Sequence, residues 1–336
     1  VNVKVIISLL KETIAEWNKD KVARIAAALA YYTMFSLAPL LIIVIAIAGS
    51  VFGEDAAKNE IVAQIQGLVG RDGAEFIQTA IENASQPAEG TFASVISVVV
   101  LLFGATGLFA ELQDALNTVW EVKPKPEQGL LNVVRNRFLS FAMILGIGFL
   151  LLVSLILSAG LAGVVNFFGN WFPFLSSFLQ LFSFVFGFIV TTFLFAAIYK
   201  ILPDVKITWS DVWIGAIITS FLFSIGRFLL GQYLGNSSFG SVYGAAGSLV
   251  VVLAWVFYAA QILLLGAEFT QVYARRFGSG ITPAENAVPL TPEARAEQGM
   301  QPNEPPETER PRRKRSNFLS RIFGGGSRRS PRRRNR

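Results

Sequence analysis

Arg227 stands inside an apolar stretch, where an ionisable group is costly unless it meets a bundle interior, a watery cavity or the headgroups. Ser220, Ser224, Arg227 and Gly231 follow one another by four, three and four, which aligns them on one helical face. That stripe either lines a cavity receptive to an anion or ends in an arginine that snorkels to the outer headgroups. A second stripe, Trp255, Tyr258, Gln261, Leu265 and Glu268, places its carboxylate near the cytoplasmic end of a span. Lys200 or Arg275 is expected to neutralise Glu268 as a rim ion pair, and proton or substrate coupling is the alternative. Tyr32, Ser36 and Pro39 share a third face, and Pro39 removes a backbone donor and invites a kink. The candidates for a substrate pathway are therefore Arg227, Ser220, Ser224, Tyr32, Ser36, Tyr258, Gln261 and Glu268.

Other chemistry is excluded by composition. The chain has no Cys and no His, so it holds no disulfide, thiol nucleophile, imidazole base or Cys/His metal site. The connection from Gly231 to Ser248 is rich in glycine but has no lysine, which rules out a phosphate loop of the GxxxxGK type. It reads as a tight outer turn or a re-entrant segment. No catalytic residue, metal or cofactor is implied.

The elements that must position these side chains are membrane helices. Of 336 residues, 53% are hydrophobic and 15% charged, and the mean hydropathy is +0.51, which places the chain among membrane proteins. Six apolar stretches reach the roughly 20 residues needed to cross a hydrocarbon core about 30 Å thick. They run over 25–52, 92–112, 138–168, 174–202, 212–230 and 249–269. Lys4, Lys11, Lys19, Lys21 and Arg24 precede the first span, whereas 53–91 has only Lys58 and Arg71 against seven acids. Lys123, Lys125, Arg135 and Arg137 follow the second span, Lys200 and Lys206 the fourth, and Arg275 and Arg276 the sixth. Because cytoplasmic loops accumulate Lys and Arg, one alternation fits every connection, with both termini cytoplasmic. The expected fold is all-α, a polytopic six-helix membrane protein.

Three segments lie outside the spans. In residues 1–24, Ile6, Leu10, Ile14 and Trp17 recur at helical spacing, as in a helix lying on the inner membrane surface. In the external segment 53–91, two amphipathic stretches flank Gly70-Arg71-Asp72-Gly73, as in a helical hairpin capping the outer face. From 278 to 336 prolines interrupt a polar stretch that reads as a disordered, Pro-rich and basic cytoplasmic tail. Arg312, Arg313, Lys314 and Arg315, with Phe318, Leu319, Ile322 and Phe323 on one helical face, suit anionic lipid headgroups. Nucleic acid is the competing partner, but few aromatics are present for base stacking, so no specific nucleic-acid binding is expected.

Several motifs are specific enough to carry a resemblance. Ala28-Leu29-Ala30-Tyr31-Tyr32 with Pro39, Ala115-Leu116-Asn117-Thr118-Val119-Trp120, and Tyr199-Lys200-Ile201-Leu202-Pro203-Asp204-Val205 with Gly215-Ala216 come in order. Val242-Tyr243-Gly244-Ala245 and Leu265-Gly266-Ala267-Glu268 complete the series. Over about residues 5–277 the chain resembles the YihY/BrkB family of bacterial inner-membrane proteins. The resemblance implies a six-helix integral membrane protein of poorly defined activity, called in turn a virulence or serum-resistance factor and a transporter. Some members carry the label ribonuclease BN, a zinc-dependent activity. That label does not transfer to a chain without His or Cys. The functional expectation is an inner-membrane transporter or lipid-handling protein acting on an anionic or amphiphilic substrate. The alternative is a non-transporting scaffold of the cell envelope.

Overall fold

A computed structural model describes residues 3–85, 91–125, 146, 173–235, 246–278 and 280–300. Helices α1 (Val3–Lys19), α2 (Val22–Phe52), α3 (Glu54–Ala84) and α4 (Thr91–Val119) lead into strand β1 (Val122–Pro124). Helix α5 (Pro173–Ile201), strand β2 (Val205–Lys206), helix α6 (Trp209–Gly235) and helix α7 (Gly247–Arg276) follow. Strands β3 (Thr282–Pro283) and β4 (Ala287–Pro289) and helix α8 (Pro292–Glu297) close the described chain.

Four described helices are long and apolar enough to cross a membrane: α2, Phe184–Ile201 within α5, Trp209–Leu230 within α6, and α7. Helix α4 occupies the second expected span. The third expected span, 138–168, lies outside the described residues apart from Gly146, as do the turn before Pro173, residues 236–245 and the tail from 301. Its Arg312, Arg313, Lys314, Arg315, Phe318 and Ile322 therefore have no structural account here.

Helix α2 packs against α3, α4 and α7, and α6 packs between α5 and α7. The core joins Val22 and Ala26 of α2, Leu116 of α4, Tyr199 of α5, Val212 and Ala216 of α6 and Leu264 and Ala267 of α7. Pro39 is accommodated because α4 presents Gly104 to it, where a Cβ would lie 3.0 Å from the proline ring. Helix α3 breaks at Gly70, whose φ of 79° belongs to glycine. Its two halves fold back, so that Lys58 meets Glu82 at 2.9 Å across the bend. Ile61, Val69, Ile77 and Ile81 pack this hairpin on Leu41, Val44 and Ile45 of α2 and on Val251 and Val252 of α7.

In α1 the face turned inward is Leu9 and Thr13, packed near Phe269 and Val272. Of the expected stripe, Ile6, Leu10 and Ile14 are exposed, whereas Trp17 is half-buried against the core.

The expected tail boundary moves. Residues 280–300, grouped with the linker on account of their prolines, form a folded strap. Strand β4 pairs antiparallel with β1, and β3 pairs antiparallel with β2. The prolines fit because Pro283 and Pro289 end short strands and Pro292 opens α8, capped by the Thr291 hydroxyl.

Candidate functional site

Two of the family-like motifs prove to be fasteners between α4, the turn after α5 and the strap. Asn117 Nδ2 donates to Asp204 Oδ2 at 2.9 Å, and the Asp204 amide donates to Asn117 Oδ1 at 2.8 Å. Asn286 of the strap donates to Asp204 Oδ1 at 2.7 Å, and the Ala284 amide to the Asp204 carbonyl. One aspartate thus ties α4, the turn after α5 and the strap together.

Arg295 of α8 is fully buried and pairs with Asp20, between α1 and α2, while its other nitrogen lies 3.7 Å from Glu121. Lys21 and Glu121, with φ of 53° and 57°, turn the chain in the left-handed region beside this pair. Such conformations are held only where surroundings over-determine them. Burial pushes the Asp20 carboxyl up to about 6, against the pull of Arg295. Around them Arg275 reaches Glu16 at 3.2 Å and Glu12 at 3.8 Å, and Arg276 reaches Ser8 and Glu12. Burial also acts to raise Glu16, but Lys19 and Arg275 outweigh it and hold the carboxyl below its ordinary value.

Beside this layer the strap roofs a cavity of about 420 Å³ between α2 and α4, within the range of small-ligand sites. Arg24 and Ile25 of α2 face Glu111, Asp114 and Thr118 of α4, with Gln298 and Met300 closing the strap side. Arg24 donates to the Gln298 carbonyl. Glu111 and Asp114, three apart on one helical face, form no ion pair among the described residues. A guanidinium on one wall and two carboxylates on the other suit a ligand with separated negative and positive groups.

None of the pathway residues read from the sequence lines this cavity. Ser220 is fully buried with its hydroxyl unpartnered among the described residues, Ser224 donates to the Ser220 carbonyl, and Arg227 is exposed beside exposed Phe228 and Leu229. The stripe is thus buried at its start and open at its end. Tyr32 is 43% exposed, whereas Ser36 is buried against α4 near Gly107. Tyr258 packs its hydroxyl on Gly226, and Gln261 is half-buried. Glu268 is wholly buried, and the expected rim ion pair is not made: Lys200 donates to the Ile207 carbonyl and Arg275 serves the acids of α1.

The sequence reading missed Arg24, Glu111 and Asp114 as a group. Its one available signal was a pair of acids on the side of the membrane where bases accumulate.

The profile of the family described as "Virulence factor BrkB" matches residues 13–291. A UPF0761 membrane protein of Aggregatibacter aphrophilus is 28% identical over 268 residues, covering 77% of this chain and 89% of that protein. One of Mannheimia succiniciproducens is 26% identical, covering 76% and 86%, and one of Haemophilus influenzae 25%, covering 75% and 90%. No solved structure matches.

Proposed function

Because the chain belongs to the virulence factor BrkB family of membrane proteins, we propose that it is a non-enzymatic lipid-handling transporter of the bacterial inner membrane. In this reading six helices span the bilayer and both termini are cytoplasmic. The substrate is an amphiphile whose headgroup carries a phosphate and an amine. The observation that supports it is the strap-roofed cavity: Arg24 receives the phosphate, and Glu111 and Asp114 receive the ammonium. The depth agrees, since Arg24 directly precedes the first apolar run and Glu111 stands at the end of the second. In the same reading Arg312, Arg313, Lys314 and Arg315, with Phe318 and Ile322, bind anionic lipid headgroups.

A second reading, a non-transporting scaffold, is favoured by the seam between α6 and α7. There Gly215 receives Thr270, Gly226 receives Tyr258, and Gly266 receives Thr219, so the two backbones interlock. Proteoliposomes separate the readings. With an acyl-labelled lipid quenched from outside, an ethanolamine phospholipid should cross faster with the protein than without it, and faster than a glycerol phospholipid. Asp114→Asn should slow that crossing. Rates equal to those of empty liposomes would leave the scaffold.

The orientation has its own test, which a naturally Cys-free chain makes simple. Single cysteines replacing Lys58 or Asn83 should react with an impermeant maleimide from outside, and those replacing Lys125, Lys206 or Glu285 only after permeabilisation. External reaction at position 206 would overturn the six-span reading.

A further inference from the structure

We infer that Glu268, together with the amide oxygen of Gln271, forms a site for one exchangeable monovalent cation inside the bundle. Glu268 has no exposed surface, and neither carboxylate oxygen has a hydrogen-bond partner among the described residues. Gln271 lies three residues on, on the same face of α7, 2% exposed and with its Oε1 likewise unpartnered. Three oxygens that accept and do not donate therefore gather on one helical face.

Among the described residues, Lys200, Arg275, Arg276 and Arg295 are committed elsewhere. Lys200 donates to the Ile207 carbonyl. Arg276 serves Ser8 and Glu12, and Arg295 serves Asp20 and Glu121. Arg275, whose field reaches Glu268, pairs with Glu12, Glu16 and Glu121. Against it stand three acids that also act on Glu268: Asp20 from the α1–α2 junction, Glu16 from α1 and Glu121 from the turn after α4. On the same helix Leu264, Phe269 and Val272 are buried with it.

A carboxylate left alone in such a place is strongly disfavoured, because burial strips its hydration and nothing replaces it. The deficit is met by one positive charge without donors to spare for an anion. Hard oxygen ligands and one net negative charge select a proton or an alkali ion rather than a soft transition metal. Glu268 and Gln271 share no residue with the cavity under the strap, so this site stands or falls apart from the lipid reading.

The test uses the full chain in native membranes, treated with the apolar reagent dicyclohexylcarbodiimide, which modifies protonated carboxyls reached through lipid. Peptide mass spectrometry reads modification at Glu268, with Glu268→Gln as the blank. If the cation is a proton, modification falls about tenfold per pH unit on the alkaline limb and ignores sodium and potassium. If it is an alkali ion, modification at fixed pH falls as sodium or potassium replaces choline. In that case Gln271→Leu, which keeps the carboxylate, raises the salt concentration needed for protection. No modification of Glu268 at any pH, or modification indifferent to both pH and salt, would overturn the inference.

Discussion

Replacing Arg295 by alanine should free the strap and cost the fold about 3–5 kcal/mol, because it leaves Asp20 buried with no partner on α8. A glutamate-specific protease should then cut after Glu285, Glu293 or Glu297 where the parent chain resists, and the melting midpoint in detergent should drop. Asp20→Asn combined with Arg295→Met should recover much of the loss, since removing both charges removes the desolvation penalty with the attraction. An Arg295→Ala chain with unchanged cleavage and melting would contradict the clasp. Asp20 also sets a pH dependence. Its carboxyl, raised to about 6 from an ordinary 3.8, holds its proton more tightly folded than unfolded. The stability it contributes is complete below the ordinary value and is lost as pH rises through about 6. The melting midpoint should therefore rise as pH is lowered from 7 to about 5, and this component should vanish in Asp20→Asn.

Gly215→Ala should be nearly as damaging. Its new Cβ would stand 1.7 Å from Thr270 Oγ1, in a seam where α6 and α7 are pressed together. Overpacking of a closed core costs about 1–3 kcal/mol, and more when backbones must part. Expression and thermal melting should fall together, and Thr270→Ala in the same chain should restore part of both. A Gly215→Ala protein that melts with the parent would show the seam to be loose, which removes the main support for a rigid scaffold.

The sequence made helices legible wherever a long apolar run or a Gly break stood in one segment. Helices α2, α4, α5, α6 and α7 cover the expected first, second, fourth, fifth and sixth stretches, and α3 bends at the expected Gly70. What escaped was whatever depends on contacts far apart in the chain. The strap is proline-rich, and proline counts as a breaker until the β1 and β2 partners across the chain are known. The Thr291-Pro292 start of α8 was in plain view, but the Arg295–Asp20 pair that holds it joins residues 275 apart. Helical spacing gave the angle of Arg227 round α6 and not how far neighbouring helices reach along it, so the stripe that begins buried at Ser220 ends exposed. For Glu268 the spacing offered plausible cations, and the fold assigned them other partners. Asn117 and Asp204 were noticed as motif members, and only their mutual hydrogen bonds explain why an amide and an acid stand there.

The claim that the strap-roofed cavity takes a headgroup with both phosphate and amine is tested most directly by the lipid the protein carries. The intact protein would be released from membranes holding equal ethanolamine and glycerol phospholipids and weighed by native mass spectrometry. One ethanolamine phospholipid should remain on the parent chain through activation that strips other lipid. It should be lost in a Glu111→Gln/Asp114→Asn chain that melts normally, and weakened in Arg24→Gln. Retention of glycerol phospholipid in preference, or the same ethanolamine lipid held equally by the acid-to-amide chain, would contradict the account.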